Sequence, residues 1–130
     1  MADALTFELV SPERKLASAE AEAVTIPGME GDLTAMADHA PFLTTQRPGF
    51  VVVRNGASEE QYFVTGGFAE ISDNVVSVLA EEAVEGASVD DAYLSAHLEA
   101  SEKTLADAGD ERRQAAQQRV NDFIALKTTV

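Results

Sequence analysis

No cysteine occurs in the chain, which excludes disulfides, thiolate chemistry and zinc–thiolate sites. Basic residues are scarce: 9 Lys and Arg stand against 23 Asp and Glu, a formal charge of −14. Such a surface repels phosphate backbones and anionic lipid headgroups, so neither nucleic acid nor an electrostatic membrane contact is expected as a partner. A basic protein surface is its natural complement. Long apolar runs are missing too. No window approaches eighteen consecutive apolar residues, so no membrane-spanning or directly inserted segment is expected. Met-Ala-Asp-Ala-Leu-Thr-Phe at the start has no basic segment ahead of an apolar run, so export is not expected and a reducing, cytosol-like compartment is. Aromatics make up only 6% of a chain that is 45% hydrophobic, so any core is built mainly from aliphatics. At 130 residues there is room for one ordinary domain, or a small domain with an appendage.

What is present is turn chemistry, densest between Pro27 and Phe42 in PGMEGDLTAMADHAPF. Pro27-Gly28 and Glu30-Gly31-Asp32 read as turns, because Gly supplies positive φ and Pro presets φ for a reversal. Only one short strand fits between them and His39-Ala40-Pro41, so a double loop with an acidic tip is expected at the end of a β-structure. Around it the strand pattern is frequent. Leu5, Phe7 and Leu9 alternate with Thr6 and Glu8, the period of a half-buried strand. Further strands are expected at Leu16–Ala19, Glu22–Ile26, Phe42–Gln46, Phe50–Val53, Gln61–Thr65, Phe68–Ile71 and Val75–Ala80. Arg47-Pro48-Gly49 and Asp73-Asn74 supply turns, Asn55-Gly56 a type I′ hairpin turn, and Gly66-Gly67 a kink or a close approach of two backbones. Strands this short with turns this frequent predict an antiparallel sandwich or barrel over about residues 3–84.

After Glu85-Gly86 the texture becomes helical. Ser88 followed by Asp91 resembles a capping box, and Leu94, Leu98, Ser101, Leu105 and Ala108 form a narrow stripe. Gly109 is the expected stop and Asp110 the expected N-cap of a second helix. That helix carries an apolar face of Ala116, Val120, Phe123 and Ile124, with Ala115 beside them. The short connection predicts an antiparallel helical hairpin. The division expected is a β-sandwich domain at 1–86 and a helical hairpin domain at 87–130. Arg112, Arg113, Arg119 and Lys127 place four of the nine bases on the last helix.

Nothing resembles an active site. His39 and His97 lie in different substructures, neither with a third strong ligand at metal spacing. There is no G-x-S-x-G elbow, P-loop or G-x-G-x-x-G fingerprint, and a strand rather than a helix follows Thr65-Gly66-Gly67. The paired acids Glu59-Glu60, Glu81-Glu82 and Asp90-Asp91 read as solvated faces in so acidic a chain. No metal and no cofactor is expected.

Ser11-Pro12-Glu13, PGMEGDLTAMADHAPFL, Arg47-Pro48-Gly49, FVTGGFAE at 63–70 and VSVLAEEA at 76–83 occur in order and together resemble the epsilon subunit of F-type ATP synthase, of the α-proteobacterial sort. The resemblance implies a sandwich of about ten strands followed by a helical hairpin. It implies a non-catalytic central-stalk rotor subunit that links gamma to the c-ring, on the cytoplasmic face of the bacterial inner membrane. Such a subunit helps couple proton transport to ATP synthesis at the alpha/beta catalytic subunits. It further implies that Asp32, with Glu30 beside it, faces an Arg-bearing loop of the c-ring, and that His39 falls in the same rotor-facing region. The hairpin would regulate hydrolysis, its Arg112, Arg113 and Arg119 meeting acidic segments of beta. An ATP-binding motif of the family, I/L-D-x-x-R-A, is only partly matched by Val89-Asp90-Asp91-Ala92-Tyr93-Leu94: Asp90 fits, but Tyr93 replaces the arginine. A neutral phenol cannot supply the guanidinium's contact to phosphate, so ATP sensing is not expected. Two other readings stay open on the residues alone. One is a free-standing β-sandwich binding or regulatory module; the other is an enzyme that gathers acids around His39 in a pocket.

Overall fold

The computed structural model of the chain describes residues 4–129, and the chain divides into two compact units, Met1–Gly86 and Ala87–Val130. The first is all β: β1 (Leu5–Val10), β2 (Lys15–Ala21), β3 (Ala23–Gly28), β4 (Gly31–Met36) and β5 (Phe42–Gln46) come first. β6 (Gly49–Asn55), β7 (Ser58–Val64), β8 (Gly67–Ser72), β9 (Val75–Ala80) and β10 (Ala83–Glu85) follow. All ten belong to one sheet, in the order β10-β7-β6-β3-β5-β8-β9-β1-β2 with β4 beside β3. β3 and β5 share a single register pair, Gly28 with Gln46. That single pair is the narrowest link in the sheet.

The period-two alternation decides which side chains fill the core. Leu5, Phe7 and Leu9 of β1, Val24 and Ile26 of β3, Val51 of β6 and Val76 and Val78 of β9 form one core, none more than 1% exposed. On β1, β6 and β9 the residues next to these are partly or fully exposed, whereas on β3 Ala23 and Pro27 are buried as well. One pairing, β1 with β9, is parallel. Parallel neighbours cannot be joined by a tight turn, and here all the strands between the two serve as the crossover.

Local chemistry accounts for the turns. Asp73 and Asn74 have φ of 51° and 61°, the signature of a type I′ turn between β8 and β9. At the β6–β7 turn the expected geometry is corrected. Asn55 pairs with Ser58, so the central residues are Gly56 and Ala57, and of these only Gly56 has positive φ, at 63°. That matches a type II′ turn, with Gly first. The one-residue shift is held by Glu22, whose carboxylate accepts the Gly56 N–H at 2.8 Å. At Gly67, φ is +128° and a Cβ would stand 2.0 Å from the Leu79 carbonyl oxygen, so the kink is a close approach of β8 to the β9 backbone. Pro27 and Gly28, expected in a turn, extend β3 instead, and β10 lies beyond the strands expected from the sequence.

A 3-10 turn at Gly86–Ser88 spans the boundary between the units, and the second unit then holds α1 (Asp91–Asp107) and α2 (Asp110–Thr129). Its caps differ from those expected. Asp90, not Ser88, caps α1: its backbone is extended and its carboxylate accepts the Tyr93 N–H at 2.8 Å. α1 ends at an extended Ala108 whose N–H donates to the Leu105 carbonyl, so no left-handed Gly109 is needed. Asp110 lies inside the first turn of α2, where its charge favours the helix N-terminus. Leu94, Ser101, Val120 and Phe123 are buried, whereas Ala115 and Ile124 are exposed. The spacing 116–120–123 defines a narrow stripe, and Ala115 and Ile124 each stand one residue, about 100°, off it. Where the stripes meet, His97 stacks on Phe123 with ring centroids 5.4 Å apart, and Tyr93 meets His97 edge-on at 4.7 Å.

Candidate functional site

The acidic tip is the β3–β4 hairpin. Its strands pair to the end, Pro27 with Asp32 and Gly28 with Gly31, leaving Met29 and Glu30 as the two loop residues. The base of the tip is tied to the β5–β6 turn by one residue, Arg47. Its Nη1 donates to the Gly28 carbonyl on β3 and its Nη2 to the Asp32 carboxylate on β4, each at 2.6 Å. Its backbone N–H donates to Pro27 O at 3.0 Å, and Met29 N–H donates to Thr45 O at 3.0 Å. The packing is close as well: a Cβ on Gly28 would lie 2.7 Å from Gly31 O, and one on Gly49 would lie 2.8 Å from Pro27 Cβ. The tip is therefore stiff, held from below by a guanidinium and by close glycine contacts.

The two acids of the tip differ in state. Asp32 is paired with Arg47, whereas Glu30, exposed at the apex, has no partner among the described residues. A shallow cleft of about 220 Å³ runs beside them, lined by Gly28, Glu30, Gly31, Asp32, Leu33, Phe42 and Thr44. His39 is not at the tip. It follows the far end of β4, where Asp38 N–H donates to the Asn74 side chain at 2.6 Å and His39 N–H to Met36 O at 3.1 Å. At ~3.3 Å per strand residue the length of β4 separates it from Glu30. Its Nδ1 lies 2.6 Å from the Ala40 carbonyl, which can only accept, so that nitrogen carries the proton. Among the described residues no three His, Asp or Glu gather at metal distances.

A second surface was not read from the sequence. On the outer side of β5, β8 and β9, Leu43, Phe68 and Leu79 are 65%, 52% and 53% exposed. Phe68 pairs directly with Leu79, and Leu79 with Val10 of β1, so they form an apolar stripe across adjacent strands. Exposed apolar patches of this kind mark protein interfaces. The alternation of β8 and β9 contained the signal, since Phe68 and Leu79 both fall on the side opposite the core residues Ala69 and Val78.

In the second unit Arg112 and Arg113 are exposed in the first turn of α2. Arg119 is half-buried, its guanidinium 5.8 Å from the Phe123 ring centre. Asp90 serves as a helix cap, and Tyr93, in the place of the motif arginine, packs on His97.

Residues 4–86 match the family model for the ATP synthase Delta/Epsilon chain beta-sandwich domain. Over its whole length the chain is 44% identical to the ATP synthase epsilon chain of Parvibaculum lavamentivorans, covering 100% of that protein. It is 44% identical to the epsilon chain of Mesorhizobium japonicum, with 100% of this chain and 95% of that one aligned. The chain belongs to the ATP synthase epsilon chain family. A chain of the Euglena gracilis mitochondrial ATP synthase, solved as an OSCP/F1/c-ring assembly, superposes with a TM-score of 0.75 at 25% identity, covering 97% of this chain and 81% of that one. The ten-stranded unit thus agrees with the beta-sandwich domain of the family model. No helix among the described residues is long and apolar enough to cross a membrane. Arg47, like the apolar stripe, was missed by sequence reasoning. It reads as part of an Arg-Pro-Gly turn, and only the folded tip reveals what its side chain holds.

Proposed function

We propose that the chain is a non-catalytic rotor subunit of a proton-translocating ATP synthase, linking gamma to the c-ring at the cytoplasmic face of the bacterial inner membrane. The observation that carries this reading is the stapled acidic tip. Torque passes only through an element without slack, and the Arg47 contacts remove slack from the hairpin that presents Glu30. An acidic tip meeting a basic loop of the c-ring gives charge-assisted contacts that fix orientation more than they add affinity. The stripe of Leu43, Phe68 and Leu79 supports a second contact, with gamma, where apolar area rather than charge holds the partner.

The hairpin regulates hydrolysis by meeting acidic segments of the beta subunits. Its exposed Arg112 and Arg113 are the residues proposed for that contact; Arg119, lying over Phe123, serves the hairpin's own packing. The chain binds no cofactor. Asp90 is engaged as a helix cap and Tyr93 is a neutral aromatic packed on His97, an arrangement that favours no triphosphate. Reconstitution tests the central reading: added to ATP synthase membranes depleted of their epsilon subunit, the chain restores ATP-driven proton pumping. Failure to restore pumping or to bind gamma would favour a free-standing binding module.

A further inference from the structure

We propose that the two tip acids have separate roles: Glu30 is the charge that a basic partner loop recognises, and Asp32 is a positioning residue that acts through Arg47. The inference rests on the rotor reading above and divides the labour within its docking tip. Asp32 and Arg47 sit 2.6 Å apart, and the same guanidinium bonds Gly28 O at 2.6 Å, so Arg47 bridges both strands of the hairpin just below its apex. An approaching cation meets Asp32 and Arg47 together as a dipole with no net charge. Glu30, one residue before Gly31 and exposed, has no such counter-ion among the described residues and presents a full negative charge. Gly31, with φ of 137° and nothing within 4 Å of its would-be Cβ, turns the apex so that the two acids fall on different parts of the hairpin. Glu30 lies in the loop, and Asp32 pairs with Pro27 inside the ladder. The cleft beside them has apolar walls from Leu33 and Phe42, against which the stem of a Lys or Arg lies well while its head meets Glu30.

The test uses the full chain in complex with gamma, titrated with purified c-ring over a range of ionic strength. Glu30→Gln is expected to weaken docking about two- to fivefold at low salt, the range of an exposed pair, and to flatten the salt dependence. The double variant Asp32→Asn with Arg47→Gln removes two charges that cancel. It is expected to keep the salt dependence of the natural chain while loosening the tip, read as a lower coupling ratio of protons pumped to ATP hydrolysed. Thermal melts of each variant verify that the sandwich is folded, and Glu30→Asp should recover most of the lost docking. The division of roles is overturned if Glu30→Gln leaves the salt dependence intact while Asp32→Asn and the double variant both flatten it; the docking tip itself would then still stand. If no tip variant, Glu30→Lys included, changes docking of a chain that binds gamma normally, the tip is not the c-ring contact and both readings fall.

Discussion

Gly67→Ala offers a sharp test of the physical reading, because Gly31→Ala provides a matched control. Both glycines have strongly positive φ, +128° and +137°, but their surroundings are opposite. A methyl at residue 31 meets nothing within 4 Å, whereas one at residue 67 would lie 2.0 Å from Leu79 O and 3.0 Å from Ala80 Cα. Backbone strain alone costs about 1–3 kcal/mol at either site. At Gly67 the methyl must also part β8 from β9 by more than an ångström, adding about 1–3 kcal/mol of overpacking and about 1 kcal/mol for each ladder hydrogen bond lengthened. The expected losses are about 1–3 kcal/mol for Gly31→Ala and at least about 2 kcal/mol more for Gly67→Ala, a large share of a 5–15 kcal/mol stability. Urea denaturation measures both, the midpoint falling with the slope preserved. Equal losses at the two sites would refute the close approach of β8 to the β9 backbone.

Other consequences follow from single groups. The Tyr62 phenol is pushed up to about 12, chiefly by burial and then by its hydrogen bond to the Glu60 carboxylate and the charges of Glu60 and Glu85. Because the folded value lies above the ordinary one of about 10, the stability it contributes is full below pH ~10 and is lost as pH rises through about 12. Melting temperatures of Tyr62→Phe should lack that component of the decline, and identical curves for the two proteins would contradict it. Phe123, 0% exposed and stacked on His97, should cost about 3–5 kcal/mol when changed to Ala. Helical circular dichroism should fall while the sandwich melts unchanged. Isothermal titration with ATP should detect no binding, and restoring the motif with Tyr93→Arg should not create it while Asp90 remains the cap of α1; micromolar affinity of the natural chain would overturn the reading of Asp90 and Tyr93.

Much of the fold was legible because period-two alternation is a strong signal wherever one face of a strand is buried. Leu5, Phe7 and Leu9 read as a strand and are one, and Asp73-Asn74 read as a turn and take positive φ at both residues. What escaped was set by tertiary pairing. Pro27-Gly28 looks like a turn, yet its missing N–H and missing Cβ suit the joint where β3 meets β5 and Arg47 arrives. β10 has three residues in an acidic stretch and exists because β7 offers it an edge. The caps of α1 and α2 moved by one or two residues, since Ser88, Asp90 and Asp91 are all competent caps and only backbone geometry chooses among them. For the site, the acids at Glu30 and Asp32 were visible in the sequence. Their difference in state was not, because it depends on a residue fifteen positions away reaching back across the fold.

Pumping driven by ATP in epsilon-depleted synthase membranes, with the full chain added back and compared with a form ending at Gly86, tests the rotor role most directly. Restored proton pumping by both forms, with faster hydrolysis in the shortened one, is the expected result and places coupling in the sandwich and regulation in the hairpin. Membranes that stay uncoupled with either form, although the chain is folded and present in excess, would contradict the rotor role.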